Sequence, residues 1–209
     1  MPPFDVGRRI RQVAALVCGC TVAFEYFCIP GTFGFFSWSL LIHFIYFQLP
    51  FESRALPFLH CISFIGASIT PWTYGYLLIW KPNLENDNMS NWDFDRTSVI
   101  VRAVLVYFIP LVFHTLDVTS NLESLIKSYQ TKSKPLMYIW SLASYGLFGL
   151  MYELCSNDDD NLNNLDEGSK RKYLRGSKIL SVFVFVLSYY ILYSQVLKRA
   201  LPNAFKKST

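Results

Sequence analysis

Residues 33–50 read FGFFSWSLLIHFIYFQLP, eighteen positions whose only ionisable side chains are His43 and Tyr46, closed on one side by Pro30-Gly31 and on the other by Glu52-Ser53-Arg54. A helix rising ~1.5 Å per residue carries such a run across most of a ~30 Å hydrocarbon core. Working outward, similar runs recur at Val13–Ile29, Ala55–Trp80, Ser98–Leu116, Leu136–Cys155 and Ile179–Leu197, with no internal repeat. The expected fold is all-α, a polytopic transmembrane helical bundle of six spans forming one domain over 1–209, with 198–209 as a cytosolic tail. Pro71 inside the third run predicts a kink, because proline frees a backbone carbonyl that neighbours must satisfy.

Composition agrees, since 52% of the residues are apolar and 16% charged, against ~25% charged in an average soluble domain. That balance excludes a disordered chain or a disulfide-stapled secreted module. The five cysteines (Cys18, Cys20, Cys28, Cys61, Cys155) form no CxxC pair, so neither structural zinc nor a disulfide framework is expected. No metal or other cofactor is called for. The net charge of +4 is not gathered into a basic stripe with interleaved aromatics, which argues against nucleic acid and for membrane lipid as the partner.

Arg8, Arg9 and Arg11 read as a basic leader before a signal anchor, and Glu25-Tyr26 stands where a cleavage site would want small residues. With six spans both termini share a side, and that side carries eleven Lys and Arg against seven opposite, which predicts cytosolic termini. Asn88-Met89-Ser90 is then a luminal glycosylation acceptor. Lys206 and Lys207, four and three residues from the end, resemble a dilysine retrieval signal read by cytosolic coat machinery, which predicts residence in the endoplasmic reticulum membrane.

Ionisable groups inside a bilayer cost ~2.5 kcal/mol or more and default to functional candidates. Counting residues along the spans gives two layers. Glu25, Arg102 and Glu153 lie toward the lumen, where the arginine can neutralise a carboxylate; His60, His114 and Asp117 lie toward the cytosol. His43 is near mid-span with Ser39 one turn earlier on the same face, placed to hydrogen-bond as packing glue or as part of a proton-transfer site.

Gly34-Phe35-Phe36-Ser37-Trp38-Ser39, Pro71 with Trp80, Ile109-Pro110 before His114-Thr115, and Tyr152-Glu153-Leu154-Cys155 together resemble the androgen-induced-gene/FAR-type family of six-span membrane hydrolases. Members of that family cleave fatty-acid esters of hydroxy fatty acids with a threonine nucleophile in span two and a histidine in span four. The resemblance implies Ser39 as nucleophile, since span two has no threonine, and His114 as base; an alignment anchored on Pro110 puts Tyr107 in the histidine's place instead. On the depth count Ser39 is ~9 Å and His114 ~24 Å from the luminal edge, so the two do not meet directly. Two readings follow: a lipid-ester hydrolase using Ser39 and His114, with His43, His60, Arg102 and Asp117 as further polar candidates, or a catalytically silent multi-pass protein that binds lipid or scaffolds other membrane proteins. A transporter is a weaker third, lacking repeats and paired broken helices.

The topology is tested by endoglycosidase treatment of the expressed protein. A mobility shift that disappears in Asn88→Gln is the expected result, and a shift that survives the substitution contradicts the assignment of Asn88.

Overall fold

The computed structural model describes residues 6–28, 35–80, 95–130, 143, 146 and 167–200. The described elements are helical: α1 (Val6–Cys28), α2 (Phe35–Gln48), α3 (Leu56–Trp80), α4 (Arg96–Ala103), a π-helical turn (Val104–Phe108), α5 (Ile109–Ser120), α6 (Leu122–Gln130), α7 (Glu167–Leu192), a second π turn (Tyr193–Leu197) and the short α8 (Lys198–Ala200). Among the described residues, three stretches are long and apolar enough to cross a membrane: Val6–Phe27, Arg96–Ser120 and Glu167–Val196. The described residues therefore form an all-helical architecture whose apolar helices suggest a membrane protein. The fifth expected run, Leu136–Cys155, lies outside the described residues apart from two isolated positions, as do Asn88, Glu153, Lys206 and Lys207.

α3 is the hub, packing on α2, α5, α6, α7 and the first π turn. Cys61 through Thr70 are buried without interruption, as expected of a helix enclosed on all sides. Its hydroxyls turn back on their own helix: Ser63 donates to Leu59 O at 2.6 Å, Ser68 to Phe64 O at 2.8 Å and Thr70 to Gly66 O at 2.9 Å. The helix runs unbroken through Pro71, and Thr70 Oγ1 also reaches Ala67 O, the carbonyl that proline leaves free, at 3.4 Å.

The outer surface is the reverse of a soluble protein's. Leu16, Phe27, Ile79, Phe183 and Tyr190 are exposed, while Arg11, Glu25, His43, His60, His114 and Asp117 are buried. Apolar side chains facing out and polar ones facing in is the arrangement a lipid solvent demands.

The helix Arg96–Ser120 starts on an N-cap, Asp95, whose carboxylate accepts from Ser98 N at 3.1 Å and from the Ser98 hydroxyl. Those bonds hold the Asp95 carboxyl below its usual range. The π turn that follows delivers Pro110 to the first turn of α5, where a missing N–H costs least. α1 is already helical at Val6, the first described residue, ahead of the Val13 that the hydropathy suggested, so Arg11 is part of the helix and not of a leader outside it.

Candidate functional site

Ser39 and His43 lie one turn apart on α2, so both point into the same interface. Ser39 Oγ is 3.2 Å from His43 Nε2. His43 Nδ1 is in turn 3.3 Å from His114 Nε2 on α5, with the two rings edge to face at 5.2 Å. The two residues singled out as nucleophile and base are thus brought together through a third, which the sequence had placed in a secondary role.

A second tier of aromatic rings holds His114. Tyr46 stacks on it at 5.0 Å and 19°, and Phe47 tilts against it at 4.9 Å. Across the same core, His60 on α3 has its ring 6.3 Å from that of His114, and His60 Nδ1 is 2.9 Å from the Tyr129 hydroxyl on α6. Tyr129 also meets Cys61 Sγ at 3.2 Å and donates to Pro57 O at 3.1 Å.

Beneath Tyr46 sits a buried ion pair. Arg11 Nη1 donates to Asp117 Oδ2 at 2.9 Å and to the Tyr46 hydroxyl oxygen at 3.2 Å, while Nη2 donates to Tyr46 O at 2.8 Å and Leu49 O at 2.9 Å. The Tyr46 hydroxyl donates to Asp117 as well, and Asn121 Nδ2 donates to Asp117 Oδ1 at 2.6 Å and Gly7 O at 3.2 Å. A side chain at Gly7 would fall on the Asn121 amide, so glycine is what lets α1 approach here. Every charge in the cluster has several partners, which is the condition for tolerating it in a core.

Toward the other end of α1, Glu25 accepts two bonds from Arg102, Nε to Oε1 at 2.6 Å and Nη2 to Oε2 at 2.8 Å. The expected neutralisation of a carboxylate by Arg102 is therefore present as a fork-to-fork contact.

Arg11, Tyr46, Asn121 and Tyr129 are the members that sequence reading missed. A signal for the first was available, because Arg11, Ala14, Ala15, Cys18, Thr21 and Glu25 recur every three or four residues and are all buried. Tyr129 belongs to a stretch read as a hydrophilic connection, yet α6 buries Leu125, Ser128 and Tyr129 along one face.

A groove of about 1140 Å³ runs between α1 and α2, bordered by Gln12, Gly19, Leu41, Phe44 and Gln48. Helical periodicity puts Leu41, Phe44 and Gln48 on the face of α2 opposite Ser39 and His43, but Arg11 and Phe47 also line the groove, and the Phe47 ring packs in turn against His114. Among the described residues, no group of three or more His, Cys, Asp or Glu side chains is arranged to hold a metal ion.

Comparison of the chain with family models, curated proteins and solved structures finds no match.

The buried pair is tested by unfolding in detergent. Asp117→Asn leaves the Arg11 charge uncompensated and is expected to cost about 3–5 kcal/mol, whereas Arg11→Met combined with Asp117→Leu is expected to recover most of that loss. A double variant no more stable than the single one would show that the loss does not come from the uncompensated Arg11 charge.

Proposed function

We propose that this protein is a six-span hydrolase of lipid esters in the endoplasmic reticulum membrane, with both termini cytosolic, coat machinery engaging Lys206 and Lys207, and membrane lipid as its surroundings and substrate source. One observation carries the reading: a serine hydroxyl, a histidine and a second histidine connected in series at 3.2 Å and 3.3 Å inside an apolar core. Nucleophile, base and orienting group in hydrogen-bonded sequence is the minimal equipment for acyl transfer.

In this reading Ser39 Oγ attacks the ester carbonyl and its proton passes to His43 Nε2. His43 returns that proton to the departing alkoxide, and water cleaves the acyl-serine with the same histidine as base. His114 is a positioning residue, receiving a bond from His43 Nδ1–H so that Nε2 presents its lone pair to the hydroxyl. The base is thus His43, in place of the His114 that the family resemblance implied, because His43 is the ring in contact with Ser39. Water exclusion strengthens each of these electrostatic contacts.

A second reading, a silent lipid-binding or scaffolding protein, is favoured by the closure of the cluster: Ser39, His43 and His114 are 4%, 1% and 0% exposed. There the same bonds serve as helix-packing glue.

Membranes containing the protein are treated with a tagged fluorophosphonate and assayed with long-chain hydroxy-fatty-acid esters. Labelling and hydrolysis are expected in the parent protein, absent in Ser39→Ala, and reduced about 10²–10⁴-fold in His43→Ala. Labelling that survives Ser39→Ala overturns the assignment, and an unlabelled, inactive parent protein supports the silent reading.

A further inference from the structure

Two ring nitrogens in the core are unsatisfied: His114 Nδ1 and His60 Nε2 are buried and make no hydrogen bond among the described residues. Both residues are 0% exposed, and buried polar atoms in native proteins find partners. Their chemistry can be worked out from the bonds around them, because a neutral imidazole has one N–H and one lone pair.

On the His60 side, the Pro57 carbonyl can only accept, so the single Tyr129 hydroxyl proton goes to it at 3.1 Å. The 2.9 Å contact between Tyr129 and His60 Nδ1 is then donated by the histidine, and His60 Nε2 is left with its lone pair. On the other side, Ser39 donating to His43 Nε2 makes His43 Nδ1 the donor to His114 Nε2 and puts a proton on His114 Nδ1. A donor and an acceptor are thereby left over in the same core.

Their spacing excludes a direct bond like the one already present. The His43 and His114 rings, joined nitrogen to nitrogen, are 5.2 Å apart; the His60 and His114 rings are 6.3 Å apart. Tyr46 and Phe64 flank both rings, with Tyr46 5.4 Å from His60 and 5.0 Å from His114, and Phe64 6.0 Å and 6.2 Å from the same two.

We propose that one ordered water molecule is bound between His114 Nδ1 and His60 Nε2, accepting from the first and donating to the second. It fixes the proton on His114 Nδ1, which fixes His114 Nε2 as acceptor, which holds the His43 proton on Nδ1 and leaves His43 Nε2 facing Ser39 as a base. His60 and Tyr129 are then remote positioning residues for the serine. The direction of this series rests on the hydrolase reading, but the water does not: with the tautomers reversed, a water donating to both nitrogens satisfies them equally.

The test uses the full chain with ¹⁵N-labelled histidine in lipid bilayers and follows magnetisation from water protons to the ring nitrogens by solid-state NMR. Transfer to His114 Nδ1 and His60 Nε2 is expected to be severalfold stronger than to His43 Nδ1. Transfer at His114 is expected to fall to the His43 level in His60→Phe and to return in His60→Gln, whose amide can hold the same water. Absence of water transfer at both nitrogens in the parent protein, or transfer from another side chain in its place, overturns the proposal whatever the variants do. Water contact with the His114 proton found on Nε2 supports the bound water and contradicts the hydrolase reading, so the two fail separately.

Discussion

The guanidinium of Arg11, enclosed among Asp117, Tyr46 and the Leu49 carbonyl, is the contact on which the rest of the core depends. A lone buried cation would be expelled or would pull the helix end toward water. Because its partners come from α2 and α5 together, satisfying it sets the height of both helices against α1. Tyr46 is held by the same contact, and its ring lies flat on His114. The placement of His114 opposite His43 is therefore a consequence of where Arg11 finds its partners.

The two ion pairs also specify direction. Arg11 and Glu25 are fourteen residues apart on α1, and their partners Asp117 and Arg102 are fifteen apart on the helix running from Arg96 to Ser120. The charges run in the same N-to-C order along both helices, arginine first and carboxylate second, so antiparallel packing pairs them and parallel packing would oppose arginine to arginine and carboxylate to carboxylate. The π turn at Val104–Phe108 lies between Arg102 and Asp117, and a turn closed by i→i+5 bonds absorbs the additional residue. Local backbone irregularity and long-range charge pairing are thus two sides of one registration.

Much of this was legible beforehand and some was not, for reasons that differ by residue. Runs of apolar length announce helices, and the i, i+4 spacing of Ser39 and His43 announces their bond, because both depend only on helix geometry. The Arg102–Glu25 pair was foreseeable from the cost of leaving either charge alone in lipid. Arg11 was not, since a basic residue before an apolar run reads as a cytosolic flank, and only the three-to-four-residue periodicity continuing through it says otherwise. Counting depth from the span ends keeps Ser39 and His114 out of direct contact, and they connect only through His43; that bridge was not legible because it depends on which faces of α2 and α5 meet. Tyr129 escaped because a mixed polar segment reveals its buried face only once a neighbour is there to cover it.

Disulfide trapping in native membranes measures the helix registration directly. Gly7→Cys combined with Asn121→Cys is expected to cross-link rapidly under mild oxidation, since those backbones approach at that point, while Gly7→Cys combined with Val99→Cys is expected to remain uncoupled. Cross-linking of positions 7 and 99 in preference to 7 and 121 would contradict the antiparallel, charge-registered core from which every other contact here follows.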